Sequence, residues 1–160
     1  MAFRDRASDA HGGFFNFVIN TVLRFFQLIL ALTAIGLYGG YVNDARLQHK
    51  YADPNYVFAV VVGSLAAVTA LILAVPFFKM YRLFAWDWIM FILWIAVFGV
   101  FGKIYINQNA NGNSGIQSQK NAVWIDLVNA ILWLLSAVHN TVVFFTHRGG
   151  RSLHTGRAAV

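Results

Sequence analysis

The sequence predicts an all-α integral membrane protein whose four transmembrane helices form one bundle. Of its 160 residues, 59% are hydrophobic and 11% are charged, whereas soluble domains average about 45–50% apolar and about 25% charged residues. Four segments are apolar over the roughly 20 residues that a helix needs to cross a bilayer core of about 30 Å. The stretches between them are rich in polar residues and glycine, which are typical of loops.

The four predicted spans follow one another closely. They cover about residues 18–42, 56–78, 84–106 and 123–146. The third span has the shortest uncharged centre, so Asp87 and Lys103 are expected near its two interfaces. Residues 107–121 are predicted to be a loop because they consist mainly of Asn, Gln, Gly and Ser. Residues 1–17 are predicted to be a cytoplasmic N-terminal segment, and 147–160 a basic, disordered cytoplasmic tail.

The distribution of basic residues predicts the orientation of the chain. An even number of spans places both termini on one side of the membrane. Eight Lys and Arg residues fall on that side and four on the other. Because short cytoplasmic segments carry an excess of Lys and Arg, we expect both termini in the cytoplasm, which gives an M-shaped topology.

Composition and motifs exclude several classes of function. The chain contains no cysteine, which excludes disulfides, zinc fingers and thiol catalysis. The net charge of +6 comes from bases that flank apolar runs, which indicates attraction to anionic lipid and not to nucleic acid. The sequence shows no metal-ligand spacing, phosphate-binding loop or catalytic dyad. We therefore expect no enzymatic activity and no cofactor.

Polar residues on the first span recur at helical spacing. Asn20, Arg24 and Gln27 share one face, because residues three or four apart are neighbours on a helix. Lipid offers polar groups no hydrogen bonds, so this stripe should face other helices. We expect a compact, left-handed four-helix bundle around it.

The fourth span carries a matching polar stripe. Asp126, Asn129 and Asn140 lie on one of its faces, with His139 beside the stripe. A neutral, hydrogen-bonded state is favoured for His139, with a pH-sensing or relay role as the alternative. For Asp126 the alternative to a structural role is a proton relay.

Depth in the membrane predicts two ion pairs. Arg24 lies close to the level of Asp87 at the cytoplasmic side, and Lys103 lies close to the level of Asp126 at the outer side. We therefore expect pairs Arg24–Asp87 and Lys103–Asp126. The alternative for Arg24 is a lipid-headgroup or transport role.

Small residues predict close contacts between helices. The first span ends in Gly36 and Gly40, a GxxxG pair, and the second contains Gly63 and Ala67 on a face of small side chains. Such residues let helix backbones approach closely. For Gly36 and Gly40 packing within the bundle is favoured, and contact between copies is the alternative.

At several of these residues the chain resembles the MARVEL-domain family, in particular its small fungal members. The similarity covers about residues 15–146 and includes Arg24 with Gln27, the Gly-Leu-Tyr at 36–38 and the ILWLLSAV stretch at 131–138. The resemblance implies a tetraspan protein that organises membrane, at vesicles or in sterol-rich plasma-membrane microdomains. Loop cysteines present in some members are absent from this chain.

The functional expectation is a non-enzymatic, multi-pass membrane protein that self-associates and arranges lipids or sterol-rich microdomains, with membrane shaping or trafficking as associated roles. The expected partners are further copies of the chain and membrane lipids, including sterol or anionic lipids. The plasma membrane is the expected location, with vesicle membranes second. The alternatives are a small oligomeric channel or transporter and an accessory subunit of a larger membrane complex.

Overall fold

The computed structural model describes residues 14–74 and 84–152, with side chains over 15–73 and 84–146. The regular secondary structure of these residues consists of four α-helices: α1 (Phe14–Leu47), α2 (Pro54–Ala74), α3 (Phe84–Tyr105) and α4 (Ser114–Ser152). Each helix is long and apolar enough to cross a membrane. The predicted fold class is confirmed, and the chain is an integral, multi-pass membrane protein.

Local capping explains where α2 begins. Pro54 is its first residue, a position where the missing N–H costs no helical hydrogen bond. The carboxylate of Asp53 accepts a hydrogen bond from the backbone N–H of Asn55 at 2.8 Å, as an N-cap does. The last residues of the predicted second span, 75–78, lie outside the described residues.

Helix α4 begins at Ser114, so the prediction that 107–121 is entirely loop is wrong for its second half. The side chain of Asn113 caps the helix by accepting hydrogen bonds from the backbone N–H groups of Gly115 and Ile116 at 2.9 and 3.3 Å. Polar composition concealed this helix, in which polar side chains such as Ser114, Gln117 and Asn121 are exposed. Gln119 is the buried exception.

The C-terminal end of α4 also differs from prediction. The helix continues to Ser152, so residues 147–152 are helical and not disordered. Residues 153–160 of the predicted tail lie outside the described residues.

The helices differ in length, which gives the bundle two unlike ends. We call the end where α1 begins and α4 ends the terminal end, and the other the loop end. At 1.5 Å per residue, the 21 and 22 residues of α2 and α3 span about 32–33 Å, whereas the 34 residues of α1 span about 51 Å. At the loop end α1 and α4 extend together beyond α2 and α3, where the Tyr41 hydroxyl donates to the Gly115 carbonyl at 3.2 Å.

The bundle consists of two antiparallel helix pairs. Helices α1 and α2 pack extensively on each other, as do α3 and α4; the contact of α1 with α4 is smaller, and that of α2 with α3 is smaller still. Large side chains of α3 and α4 fill the core against small ones of α1 and α2. The fully buried members include Ala31, Ala34, Ala59, Ala66, Trp94 and Trp133.

The inward face of α3 has a regular spacing. Its buried side chains lie at Asp87, Met90, Trp94, Val97 and Phe101, in alternating steps of three and four residues. A repeat that averages 3.5 residues favours left-handed packing. The opposite faces of the bundle carry exposed apolar side chains, which agrees with a surface in contact with lipid.

Candidate functional site

A buried ion pair joins α1 to α3 near the terminal end. Arg24 Nη2 donates to Asp87 Oδ1 at 2.7 Å, and the two side chains are 2% and 0% exposed. The predicted Arg24–Asp87 pair is therefore present. The guanidinium carbon also lies 5.0 Å from the ring centre of Trp133, a distance at which a cation–π interaction is favourable.

Two asparagines complete the surroundings of Asp87. Asn140 on α4 donates from Nδ2 to Asp87 Oδ2 at 2.7 Å. Its own Oδ1 accepts a hydrogen bond from Asn20 Nδ2 on α1 at 3.0 Å. Both asparagines are buried, as the predicted stripes require. Each carboxylate oxygen of Asp87 thus has a donor from a different helix.

Gln27 connects the same ion pair to α4. Its Oε1 accepts from Arg24 Nη1 at 2.9 Å. Its Nε2 donates to the Leu132 carbonyl at 3.1 Å and to Ser136 Oγ at 2.9 Å. Both ends of the amide are therefore hydrogen-bonded, and Gln27 is fully buried.

Together these groups form what we call the inner network: Asn20, Arg24, Gln27, Asp87, Ser136 and Asn140. The network joins α1, α3 and α4. A buried charge is costly unless it is paired and hydrogen-bonded, and here the guanidinium and the carboxylate neutralise each other. In this geometry the charged groups are held by neighbouring helices and do not reach the lipid-facing surface.

The second predicted ion pair is wrong. Lys103 is exposed and forms no ion pair with Asp126. Among the described side chains, Arg24 and Asp87 are the pair with charged atoms within 4.0 Å. Asp126 is instead fully buried and accepts a hydrogen bond at Oδ2 from the Tyr38 hydroxyl at 2.5 Å. Lys103 lies two residues beyond Phe101, the last buried position in the α3 stripe, and therefore faces outward.

Aromatic side chains surround the Tyr38–Asp126 pair at the loop end. The Tyr38 ring stacks on Phe101 with ring centres 4.4 Å apart. The hydroxyls of Tyr56 on α2 and Tyr105 on α3 lie 2.7 Å apart and share a hydrogen bond. This cluster joins α2 to α3, two helices that otherwise have little contact.

The small face of α2 packs against α1, as predicted. Gly63 lies so close to α1 that a Cβ atom there would be 2.9 Å from Ile35 Cγ1 and 3.5 Å from the Ala31 carbonyl. Ala67 is buried beside it. The absence of a side chain at Gly63 is therefore a requirement of this helix contact.

Gly36 and Gly40 lie elsewhere, and their predicted packing within the bundle is wrong. Both are exposed, and a Cβ atom added at either would have no neighbour within 4 Å among the described residues. They fall off the buried α1 stripe, which runs from Ala31 to Ala34 and Tyr38 in steps of three and four. The alternative, a contact between copies, stays a prediction.

The remaining predicted residues lie on α4. His139 is half-buried near the terminal end, where its Nε2 lies 3.3 Å from Asn16 Oδ1 on α1. The predicted hydrogen bond of His139 is therefore present. Asn129 is fully buried near the middle of the bundle, and neither atom of its amide has a hydrogen-bond partner among the residues that the structure describes.

The described residues contain no group of three His, Asp or Glu side chains that could hold a metal ion. The residues that sequence reasoning missed are the hydroxyl of Tyr38 as the partner of Asp126 and the Tyr56–Tyr105 pair. The position of Tyr38 on the buried stripe of α1 was a signal for the first. The second had no signal, since tyrosines near span ends are ordinarily interfacial.

Comparisons with protein-family models, with curated proteins and with solved structures found no match. The resemblance to MARVEL-domain proteins therefore stays a prediction. What the fold and the site establish is a multi-pass membrane protein with a buried polar network and an apolar exterior.

Proposed function

We propose that this protein is a non-enzymatic organiser of membranes, which self-associates in the plane of the bilayer and arranges lipids or sterol-rich microdomains around it. Its expected residence is the plasma membrane, with vesicle membranes as the second location. Membrane shaping or a role in trafficking would follow from such assemblies.

The observation that carries this proposal is the contrast between interior and exterior. The charged pair Arg24–Asp87 is buried and hydrogen-bonded inside the bundle. The exterior presents large apolar side chains on every helix, including Phe25, Val68, Ile92 and Val142. A protein of this kind interacts with its surroundings through shape and apolar contact, which suits lateral association with lipids and with copies of itself.

The Gly36–Gly40 pair offers a surface for self-association. Both glycines are exposed on α1, where a second helix could approach their backbone closely. Thr33, one turn before Gly36, is also exposed, and its hydroxyl bonds back to the Ile29 carbonyl at 2.9 Å. Thr33, Gly36 and Gly40 are therefore exposed on successive turns of α1 and carry little side-chain volume.

The test is the oligomeric state of the double variant Gly36→Leu/Gly40→Leu in lipid nanodiscs or native membrane patches, measured by single-molecule photobleaching. We expect the wild type to form oligomers and the variant to be mostly monomeric. Folding should survive, because both glycines are exposed and a Cβ atom added at either meets no described atom within 4 Å. Gly99→Leu is the matched control, since Gly99 is equally open on α3. A monomeric wild type would contradict the proposal.

The lipid part of the proposal has its own test. Protein extracted in native nanodiscs should carry sterol and anionic lipid at several times their proportion in the surrounding membrane, measured by lipid mass spectrometry. Apolar flanks select neighbours by thickness and packing, and the basic residues predicted on the cytoplasmic side attract anionic headgroups. Recovery of lipids in bulk proportion would contradict selective lipid arrangement.

A small oligomeric channel or transporter is the second candidate. One observation favours it: buried polar residues lie at both ends of the bundle, with Asp126 toward the loop end and Asp87 toward the terminal end. His139 lies on α4, the helix that carries Asp126, toward the terminal end. Ion flux into liposomes that contain the protein, abolished by His139→Leu, would favour this candidate over the organiser.

A further inference from the structure

Between the middle of the bundle and its loop end lie buried polar atoms that no group of the described residues satisfies. Within that part of the chain, Asn129 has neither amide atom hydrogen-bonded, and one carboxylate oxygen of Asp126, Oδ1, is also without a partner. The indole N–H groups of Trp94 and Trp133 are unpartnered as well. All four side chains are fully buried. Unsatisfied groups of this kind are rare in folded proteins, and each calls for a ligand or a bound water.

The register of α3 and α4 places these groups at neighbouring levels. The bond from Asn140 to Asp87 aligns the two antiparallel helices. Trp94 lies seven residues after Asp87, and Trp133 lies seven residues before Asn140, so the two indoles are level. Asn129 follows about one turn nearer the loop end on the same face of α4 as Trp133.

Opposite Asn129, α1 presents its smallest side chains. Gln27 bonds to the Leu132 carbonyl and Tyr38 bonds to Asp126, which fixes α1 against α4 on either side of Asn129. The buried residues of α1 between those two contacts include Ala31 and Ala34. Methyl groups can neither donate to nor accept from the amide of Asn129.

The chemistry of the four groups selects the ligand. They offer donors, from the two indoles and the amide nitrogen, and acceptors, from the amide oxygen and Asp126 Oδ1. A cation would find indole N–H groups facing it, and an anion would meet the carboxylate of Asp126. Water both donates and accepts, and buried waters ordinarily make about three hydrogen bonds to such groups.

We propose that Asp126 Oδ1, the amide of Asn129 and the indole N–H groups of Trp94 and Trp133 bind a short file of ordered water between the middle and the loop end of the bundle. The seven residues from Asp126 to Trp133 rise about 10 Å, a separation that a file of about two or three hydrogen-bonded waters spans. The file extends from the Tyr38–Asp126 pair toward the inner network. It makes one polar column along the bundle, closed off from lipid.

The test is magnetic-resonance transfer from water protons to the five indole N–H groups of the protein in lipid nanodiscs. We expect direct dipolar transfer from water to the Trp94 and Trp133 indoles. Trp88 is the internal control, because its N–H donates to Thr141 Oγ1 at 3.2 Å and should receive little. Absence of transfer to both Trp94 and Trp133 in the wild type overturns the proposal, whatever the variants do.

Two variants assign the transfer to the site. Asn129→Leu removes the amide at similar volume and should abolish transfer to Trp133. Val128→Leu, at the exposed neighbouring position, should leave it intact. Replacing sodium chloride by choline chloride should shift no Asn129 or Asp126 resonance; a shift would show that the site takes a sodium ion and would overturn the assignment to water.

Discussion

Arg24 Nη2 and Asp87 Oδ1 lie 2.7 Å apart although 63 residues separate them along the chain. Their contact ties α1 to α3, two helices that do not follow each other in sequence. Asn140 and Gln27 hold the two charges from either side. The stability of the terminal half of the bundle therefore depends on a few interactions that reach across its centre.

Removal of one partner of the ion pair should be costly, whereas removal of both should be less so. We expect Asp87→Leu or Arg24→Met to lower the free energy of unfolding by about 3–5 kcal/mol, because each leaves the other charge buried without its ion-pair partner. The double variant should lose less than the sum of the two. Thermal unfolding in nanodiscs measures this, with Lys103→Leu as an exposed control. Additive losses would contradict the pair.

Gln27→Leu tests the connection from the ion pair to α4. Three hydrogen bonds would be lost: the one that Gln27 accepts from Arg24, and the two that it donates to the Leu132 carbonyl and to Ser136 Oγ. Interhelical hydrogen bonds in membrane proteins contribute about 0.6 kcal/mol each on average, so we expect a loss of about 2 kcal/mol. Steric trapping or denaturant titration measures it. Gln117→Leu, at an exposed position of α4, should change stability little.

The close approach of α1 to α2 at Gly63 limits the size of the side chain that this position can hold. Gly63→Ala brings a Cβ atom within 2.9 Å of Ile35 Cγ1, and overpacking of this kind costs about 1–3 kcal/mol. The second change Ile35→Ala should recover part of that loss by removing the obstructing atom. Gly99→Ala, with open space around it, serves as control. If Gly63→Ala and Gly99→Ala had the same free energy of unfolding, α1 and α2 would not be in close contact at Gly63.

Tyr38→Phe tests the partner of Asp126. The change removes the hydroxyl that donates to Asp126 Oδ2 and leaves that oxygen of the carboxylate without its donor. Loss of a partner from a buried polar group costs about 1–3 kcal/mol. Tyr51→Phe, at a fully exposed tyrosine, should have no effect. Lys103→Gln should be equally silent, and destabilisation by it would restore the discarded Lys103–Asp126 pair.

Helical spacing predicted the inward residues well, because polar groups in a membrane have few alternatives to facing one another. Asn20, Arg24 and Gln27 are buried for that reason, and depth along the helices then identified Asp87 as a partner. The two errors share one cause. Lys103 was placed by depth alone and Gly36 by its GxxxG motif alone, whereas contact also requires the correct direction around the helix axis.

The loop end was harder to predict for a different reason. Residues 114–122 are helical although their composition resembles a loop, because water can solvate a polar helix whose inner face packs on a neighbour. The local sequence signal for this helix is its N-cap at Asn113, which can be recognised only once the helix is known to begin at Ser114.

The distance in sequence between Arg24 and Asp87 has a consequence for biosynthesis. At a synthesis rate of about 5–20 residues per second, the 63 residues that separate them take roughly 3–13 s to make. During that interval the arginine has left the ribosome and its acidic counterpart has not. The first helix is therefore synthesised several seconds before the acidic partner of its arginine, so the buried pair can form only after the third helix has been made.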